Sequence, residues 1–164
     1  MIELTAKPLT AQAFSAFGDV VDIESASKTF SMNYDMATRY YDLADIDVND
    51  NGGKTCISLV KSKAVKLPFE AKLMEYHPFG SQLFHPLGNI PFLILVAPPA
   101  DKLDSDKLEL FISNGRQGVN YRKGVWHHYL IPLQEESDFI VVDHIADDNN
   151  CVETELDTKV VLKL

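Results

Sequence analysis

Two short stretches of this 164-residue chain concentrate the side chains able to move protons or hold a metal ion. The first reads Leu73-Met-Glu75-Tyr-His77-Pro-Phe-Gly-Ser-Gln82-Leu-Phe-His85. If Leu73 to His77 is a strand, period-two alternation turns Glu75 and His77 to one face. The turn at Pro78 to Ser81 then brings Gln82, opening the next strand, beside His77. The second stretch reads Gly118-Val-Asn120-Tyr121-Arg122-Lys123-Gly124-Val-Trp126-His127-His128. Its adjacent histidines face opposite sides of a strand, so only one of them can enter a given cavity. Two histidines and a carboxylate suit general acid-base work near neutral pH, or a first-row divalent ion. The amide at Gln82 suits substrate hydrogen bonding better than ligation, so the metal and metal-free readings both stand.

These residues must be positioned mainly by strands. β-Rich runs recur at Thr55 to Val60, Leu73 to His77, Ser81 to His85, Phe92 to Ala97, Leu108 to Ile112, Val125 to Leu133, Phe139 to Val142 and Lys159 to Leu164. Turn signals stand between them at Asn51-Gly52-Gly53, Pro78-Phe79-Gly80, Asn114-Gly115, Gly118 and Asp147 to Asn150. One short helix is expected near the start, capped by Thr10, with Ala13, Phe14 and Phe17 on one face and Gly18 at its C-terminal end. Residues 100 to 107 read as a polar excursion or short helical turn. Nothing resembles an interdomain linker, so residues 1–164 are expected to form a single domain. The apolar strand Pro91 to Ala97 should be buried on both faces, which in a small barrel suggests core on one side and a partner subunit on the other.

Charge narrows the class of function. A formal charge of -9 argues against nucleic acid and anionic membrane surfaces, which call for clustered Lys and Arg. No signal peptide or membrane-length apolar run is present, so a cytoplasmic location is expected. Cys56 and Cys151 lack metal-type spacing and are read as unpaired core thiols.

Arg122-Lys123-Gly124-Val125-Trp126-His127 resembles the second cupin motif, with Arg122 in place of proline. Glu75, His77 and Gln82 fit the first motif loosely. Along nearly the whole chain, PLTAQAFSAFGDV, RYYDLA, EYHPFGSQLFHPL and especially NGRQGVNYRKGVWHHYL resemble the ureidoglycolate lyase family. That resemblance implies a mainly β, cupin-type double-stranded barrel of two related halves with a short N-terminal helix. It also implies a homodimer, and cleavage of (S)-ureidoglycolate to glyoxylate and urea in allantoin (purine) degradation. Nickel is the divalent metal it suggests, on Glu75, His77 and His127, although the same residues could work without one.

Such an elimination needs a base for the hydroxyl, an acid for the departing nitrogen and an anchor for the carboxylate. His77, His127 and Glu75 are the catalytic candidates. Arg39 is the candidate carboxylate clamp, because a guanidinium binds carboxylate bidentately. Gln82, Asn33, Asn120 and Tyr121 are candidate substrate hydrogen-bonders. His85, His128 and His144 receive no catalytic role, and Trp126 is read as packing. The competing expectations are another small-acid or sugar-processing cupin, or a non-catalytic cupin that binds a small molecule.

Overall fold

The computed structural model describes residues 1–164. The chain opens with β1 (Ile2–Thr5), β2 (Lys7–Pro8), the single helical turn α1 (Ala11–Phe14) and β3 (Gly18–Val21), then a hairpin of β4 (Lys28–Met32) and β5 (Ala37–Tyr41). β6 (Lys54–Ser62), β7 (Phe69–Tyr76), β8 (Gln82–Pro86), β9 (Phe92–Ala97), β10 (Glu109–Ile112) and β11 (Gly118–Tyr121) follow. β12 (Trp126–His127), β13 (Ile131–Pro132), β14 (Ser137–Ile145) and β15 (Val152–Lys163) complete it. The protein is mainly β, as expected, with one nearly closed, barrel-like sheet. No helix is long and apolar enough to cross a membrane.

α1 forms where the cap residue dictates: the Thr10 hydroxyl accepts from the Ala13 amide at 3.1 Å. It buries Phe14 and, just beyond, Phe17, while Ala13 stays exposed. Gly18 does not close the helix in a left-handed turn but opens β3. Glycine is needed there because a Cβ would stand 1.8 Å from the Asn120 carbonyl oxygen of the neighbouring strand.

Eight strands form one sheet, ordered β1-β15-β7-β12-β9-β10-β2 with β13 also on β9; five form a second, ordered β3-β11-β8-β14-β6. One apolar cluster lies between the sheets, built on Phe14, Phe17, Phe92, Ile94, Val96, Phe111, Val119 and Phe139. The other, with Met74, Leu93, Leu95, Leu110, Trp126, Val160 and Leu162, fills the opposite face of the eight-stranded sheet. β9 alternates between the two, and all six of its residues are buried. Its double burial, expected to involve a partner subunit, is therefore achieved within one chain.

The expected strand at Val125 to Leu133 is broken into β12 and β13, which pair with β9 at different places. The short strands β1 to β5 and β11 carry too weak an alternation to have been expected. Cys56 and Cys151 are free thiols, as expected, but only partly buried, so neither belongs to the core.

Candidate active site

Cross-strand register assembles the site between the sheets. His127 on β12 stands opposite Glu75 on β7 and Val96 on β9, which puts its ring on the side of the inter-sheet cluster. From the second sheet, Gln82 is paired with Tyr121, and strand alternation gives Asp143 the same face. His77 follows β7 directly, and its ring centroid lies 5.0 Å from that of His127. Of these groups, His127 is buried at 1 % side-chain exposure, while His77 and Glu75, at 13 % and 18 %, reach solvent.

Hydrogen bonds fix the protonation pattern. His77 Nδ1 donates to the Asn150 carbonyl at 2.6 Å, and His127 Nδ1 donates to the Glu75 carbonyl at 3.2 Å. A carbonyl only accepts, so each neutral ring carries its proton on Nδ1 and presents an Nε2 lone pair to the cluster. The amide of Gln82 is oriented by its Nε2, which donates to Asp143 Oδ2 at 3.2 Å. Its carbonyl oxygen consequently faces both rings, 3.1 Å from His77 Nε2 and 3.3 Å from His127 Nε2. Glu75 Oε1 lies 4.0 Å and 3.9 Å from the same two nitrogens. With both rings neutral these four facing atoms are all acceptors, and a proton arriving on either Nε2 would be shared with Gln82 Oε1.

Electrostatics reinforce this arrangement. Burial, followed by the proximity of His77 and His128, pushes His127 well below its ordinary pKa and keeps it neutral. Burial also raises Glu75, opposed by His77 and by the Cys151 thiol, whose Sγ lies 3.7 Å from Oε2. Cys151 itself is pushed up to about 11, chiefly by burial and then by Glu75 and Glu153, so it stays a thiol. The Tyr121 phenol is likewise raised by burial and then by Glu75, and keeps its proton. Its ring stands edge-on to His127, 4.2 Å between centroids, and holds that ring in place.

An acceptor-rich gap of this kind accommodates a proton, a substrate O–H or a cation. Glu75, His77 and His127 have ligand atoms within 4.8 Å of one another and could hold a divalent ion. Each histidine is already tied by Nδ1 to a backbone carbonyl, as in metal sites where the second ring nitrogen is fixed by hydrogen bonding. The donor set, two imidazoles and one carboxylate, suits a first-row transition ion.

A match to the ureidoglycolate lyase family covers residues 1–163. The chain belongs to the ureidoglycolate lyase family. It is 47% identical over 156 residues to a ureidoglycolate lyase of Burkholderia mallei (strain NCTC 10229), covering 95% of this chain and 91% of the relative. A ureidoglycolate lyase of Pseudomonas syringae pv. syringae is 42% identical over 153 residues, covering 93% of this chain and 89% of the relative. Another, from Pseudomonas entomophila, is 42% identical over 93% of this chain and 91% of the relative.

Within this member of the ureidoglycolate lyase family, Glu75, His77, Gln82, Tyr121 and His127 come together. Asn120 does not join them, because it alternates with Tyr121 and points out of the opposite face. There its amide donates to Asp19 Oδ2 at 3.1 Å and to the Asp45 carbonyl at 2.8 Å, beside a cavity of about 150 Å³ also lined by Asp47 and Ser81. Arg39 and Asn33 stand on the exposed β4–β5 hairpin and bond to nothing in the cluster. His128 packs against Phe69 on the other side of the eight-stranded sheet, and burial lowers it to about 4. His144 is a brace: Nδ1 donates to the Val48 carbonyl and Nε2 pairs with Asp148, both at 2.8 Å. Sequence reasoning missed Asp143, Asn150 and Cys151, which lie far from either motif; period-two alternation along β14 is the one signal that would have turned Asp143 inward.

Proposed function

We propose that this chain is a ureidoglycolate lyase that converts ureidoglycolate to glyoxylate and urea by acid-base elimination, in allantoin degradation. The observation that carries the reading is the convergence of two Nε2 lone pairs and the Glu75 carboxylate on one partly open point. The names of the relatives supply the substrate.

Ureidoglycolate bears a hydroxyl, a carboxylate and the ureido nitrogen on one carbon. His127, kept neutral by burial, accepts the hydroxyl proton on Nε2 as the C–O bond becomes a carbonyl. The C–N bonding pair then departs with the urea nitrogen, which takes the proton that His127 has just accepted, while the Nε2 lone pair of the more exposed His77 accepts a hydrogen bond from the ureido N–H. Glu75, a carboxylate in a partly dry setting, stabilises positive charge that develops on either ring. The Gln82 carbonyl, aimed by Asp143, keeps both rings in register and accepts from the substrate, while the Tyr121 phenol is a donor beside Glu75. A divalent ion on Glu75, His77 and His127, nickel being the one the family resemblance suggests, would supply Lewis-acid activation of the hydroxyl. The cluster fits both versions. The fold is read as a cupin-type barrel forming a single domain over residues 1–164, active as a homodimer.

The test is glyoxylate release from racemic ureidoglycolate, with chelator and with added nickel. Release under at least one condition is expected, with half of the racemate consumed. No glyoxylate under either condition would sink the reading.

A further inference from the structure

Three features of the molecule are left incomplete by one chain. The first is the β4–β5 hairpin, residues 28–41, whose strands pair only with each other. A two-stranded hairpin alone in water is marginal and needs a surface to lie on. Register places Lys28, Phe30, Met32, Ala37, Arg39 and Tyr41 on one of its faces and Thr29, Ser31, Thr38 and Tyr40 on the other. The first face is apolar and cationic. Phe30 and Tyr41 lie 5.7 Å apart, the Arg39 guanidinium sits 5.9 Å and 5.2 Å from their rings, and Lys28 Nζ is 5.3 Å from Tyr41. Phe30, Met32 and Tyr41 remain 37–39 % exposed, and the Arg39 guanidinium lies over the Phe30 and Tyr41 rings with no side-chain hydrogen bond or ion pair.

The second feature is β6. It pairs with β14 along one side and its other edge is free; Ile57 and Leu59, 67 % and 73 % exposed, point to the outer face, while Cys56 and Ser58 point to the inner face that carries the site. Natural edge strands are guarded by charge, proline or a bulge; this one has Lys54 at one end and Lys61, paired with Asp138, near the other, and none of these from Thr55 to Val60. β6 also borders the site, because Cys56 is the cross-strand partner of Asp143, the residue that aims Gln82. The third feature is the charge of the site. Its hydrogen bonds and close charge contacts join His, Glu, Gln, Asp, Cys and backbone groups, and no Lys or Arg takes part. Glu75, Asp143 and Glu153 leave its surroundings acidic.

We propose that the hairpin of one copy lies along β6 of a second copy and delivers Arg39 to that copy's Glu75–His77–His127 cluster. The role of Arg39 there, holding the substrate carboxylate through its planar fork, rests on the lyase reading above. Charge complementarity selects a second copy as the occupant: a hairpin lying along the free edge of β6 with its cationic apolar face turned inward meets the acidic cluster, and both halves belong to the same chain. A two-fold exchange covers both hairpins and both edges at once and closes the assembly as a dimer.

Two measurements test this. In the first, Arg39→Ala and His127→Ala chains, each with low activity as pure species, are dissociated, mixed in equal amounts and reassociated. If Arg39 acts across the interface, each mixed dimer holds one complete site, and about a quarter of the activity of unaltered protein returns. No recovery beyond the two pure variants, or an Arg39→Ala enzyme whose KM rises less than about threefold where a lost charge-assisted contact predicts roughly 10- to 100-fold, overturns the delivery of Arg39. In the second, sedimentation compares the unaltered chain with a Phe30→Glu, Tyr41→Glu double variant. The proposal expects a dimer that becomes a monomer with unchanged circular dichroism; a monomeric unaltered chain, or a variant that stays dimeric, overturns the docking. Sedimentation does not depend on turnover, so failure of the lyase reading, seen as an unaltered chain that releases no glyoxylate, is distinguishable from failure of the docking.

Discussion

The two faces of the β3-β11-β8-β14-β6 sheet carry polar clusters one residue apart in sequence, yet they differ in kind. Toward the eight-stranded sheet, Gln82, Tyr121 and Asp143 frame two histidine Nε2 atoms and a carboxylate, which with the rings neutral all face one another as acceptors. On the outer face, Asn120 gives both its amide protons to partners, the Ser81 hydroxyl accepts from the Asp47 amide at 2.9 Å, and Asp19 Oδ2 also accepts from the Asp45 amide at 3.1 Å. The outer cluster fastens the segment from Asp45 to Asp47 to the sheet. The inner one holds its acceptors ready for something else. The inner cluster turns several acceptors toward one point, whereas the outer one spends its groups on the Asp45–Asp47 segment and Asp19, with only the buried Asn120 Oδ1 left without a partner.

The largest test of that contrast is on the inner face. His127→Ala should lower kcat by about 10²- to 10⁴-fold, the range expected for a general acid or base, with little change in the circular dichroism spectrum. A steady-state assay on folded protein checks this, and near-normal turnover would remove His127 from the chemistry.

Much of this was legible in the sequence, and for physical reasons. β9 could be read exactly because its six apolar residues have no polar alternation to blur its ends. Glu75 and His77 could be placed on one face because two residues along a strand restore the direction. Gln82 followed from the short turn between β7 and β8. The role of Asn120 was not legible, because a motif shows which residue types stand close in sequence but not which face each one meets. Arg39 was picked for its chemistry, and nothing in RYYDLA shows that its strand leaves the body of the fold. Asp143 and Asn150 reach the site only through pairings with residues 61 and 73 positions away.

The outer face supplies the converse test. Asn120→Ala removes two hydrogen bonds within a buried cluster and should cost roughly 1–3 kcal/mol of stability, read from urea unfolding, while kcat/KM at 25 °C changes less than about threefold. A large loss of activity with unchanged stability would move Asn120 into the chemistry and erase the contrast between the faces.

The smallest effect concerns His144, at the border of the outer cluster. Burial opposes its charging, but the Val48 carbonyl, Asp148 and Asp50 together raise its pKa above 6.5. A folded-state value above the unfolded one means that its stabilisation is complete below pH 6.5 and is lost as pH rises through the raised value. Asp148, lowered chiefly by the Asn51 amide and then by His144, acts in the other direction, its stabilisation fading as pH falls from 3.8 through the depressed value. His144→Ala should therefore lower Tm by roughly 2–4 °C at pH 6 and by less at pH 9, measured by differential scanning calorimetry.

The central claim, that the inner cluster alone receives substrate, is tested most directly by ¹⁵N chemical shifts of the five histidines as glyoxylate is added. The account predicts that the Nε2 signals of His77 and His127 move together and saturate, while those of His128 and His144 stay in place. Movement of His144 without His77 and His127 would put the ligand on the outer face and contradict it.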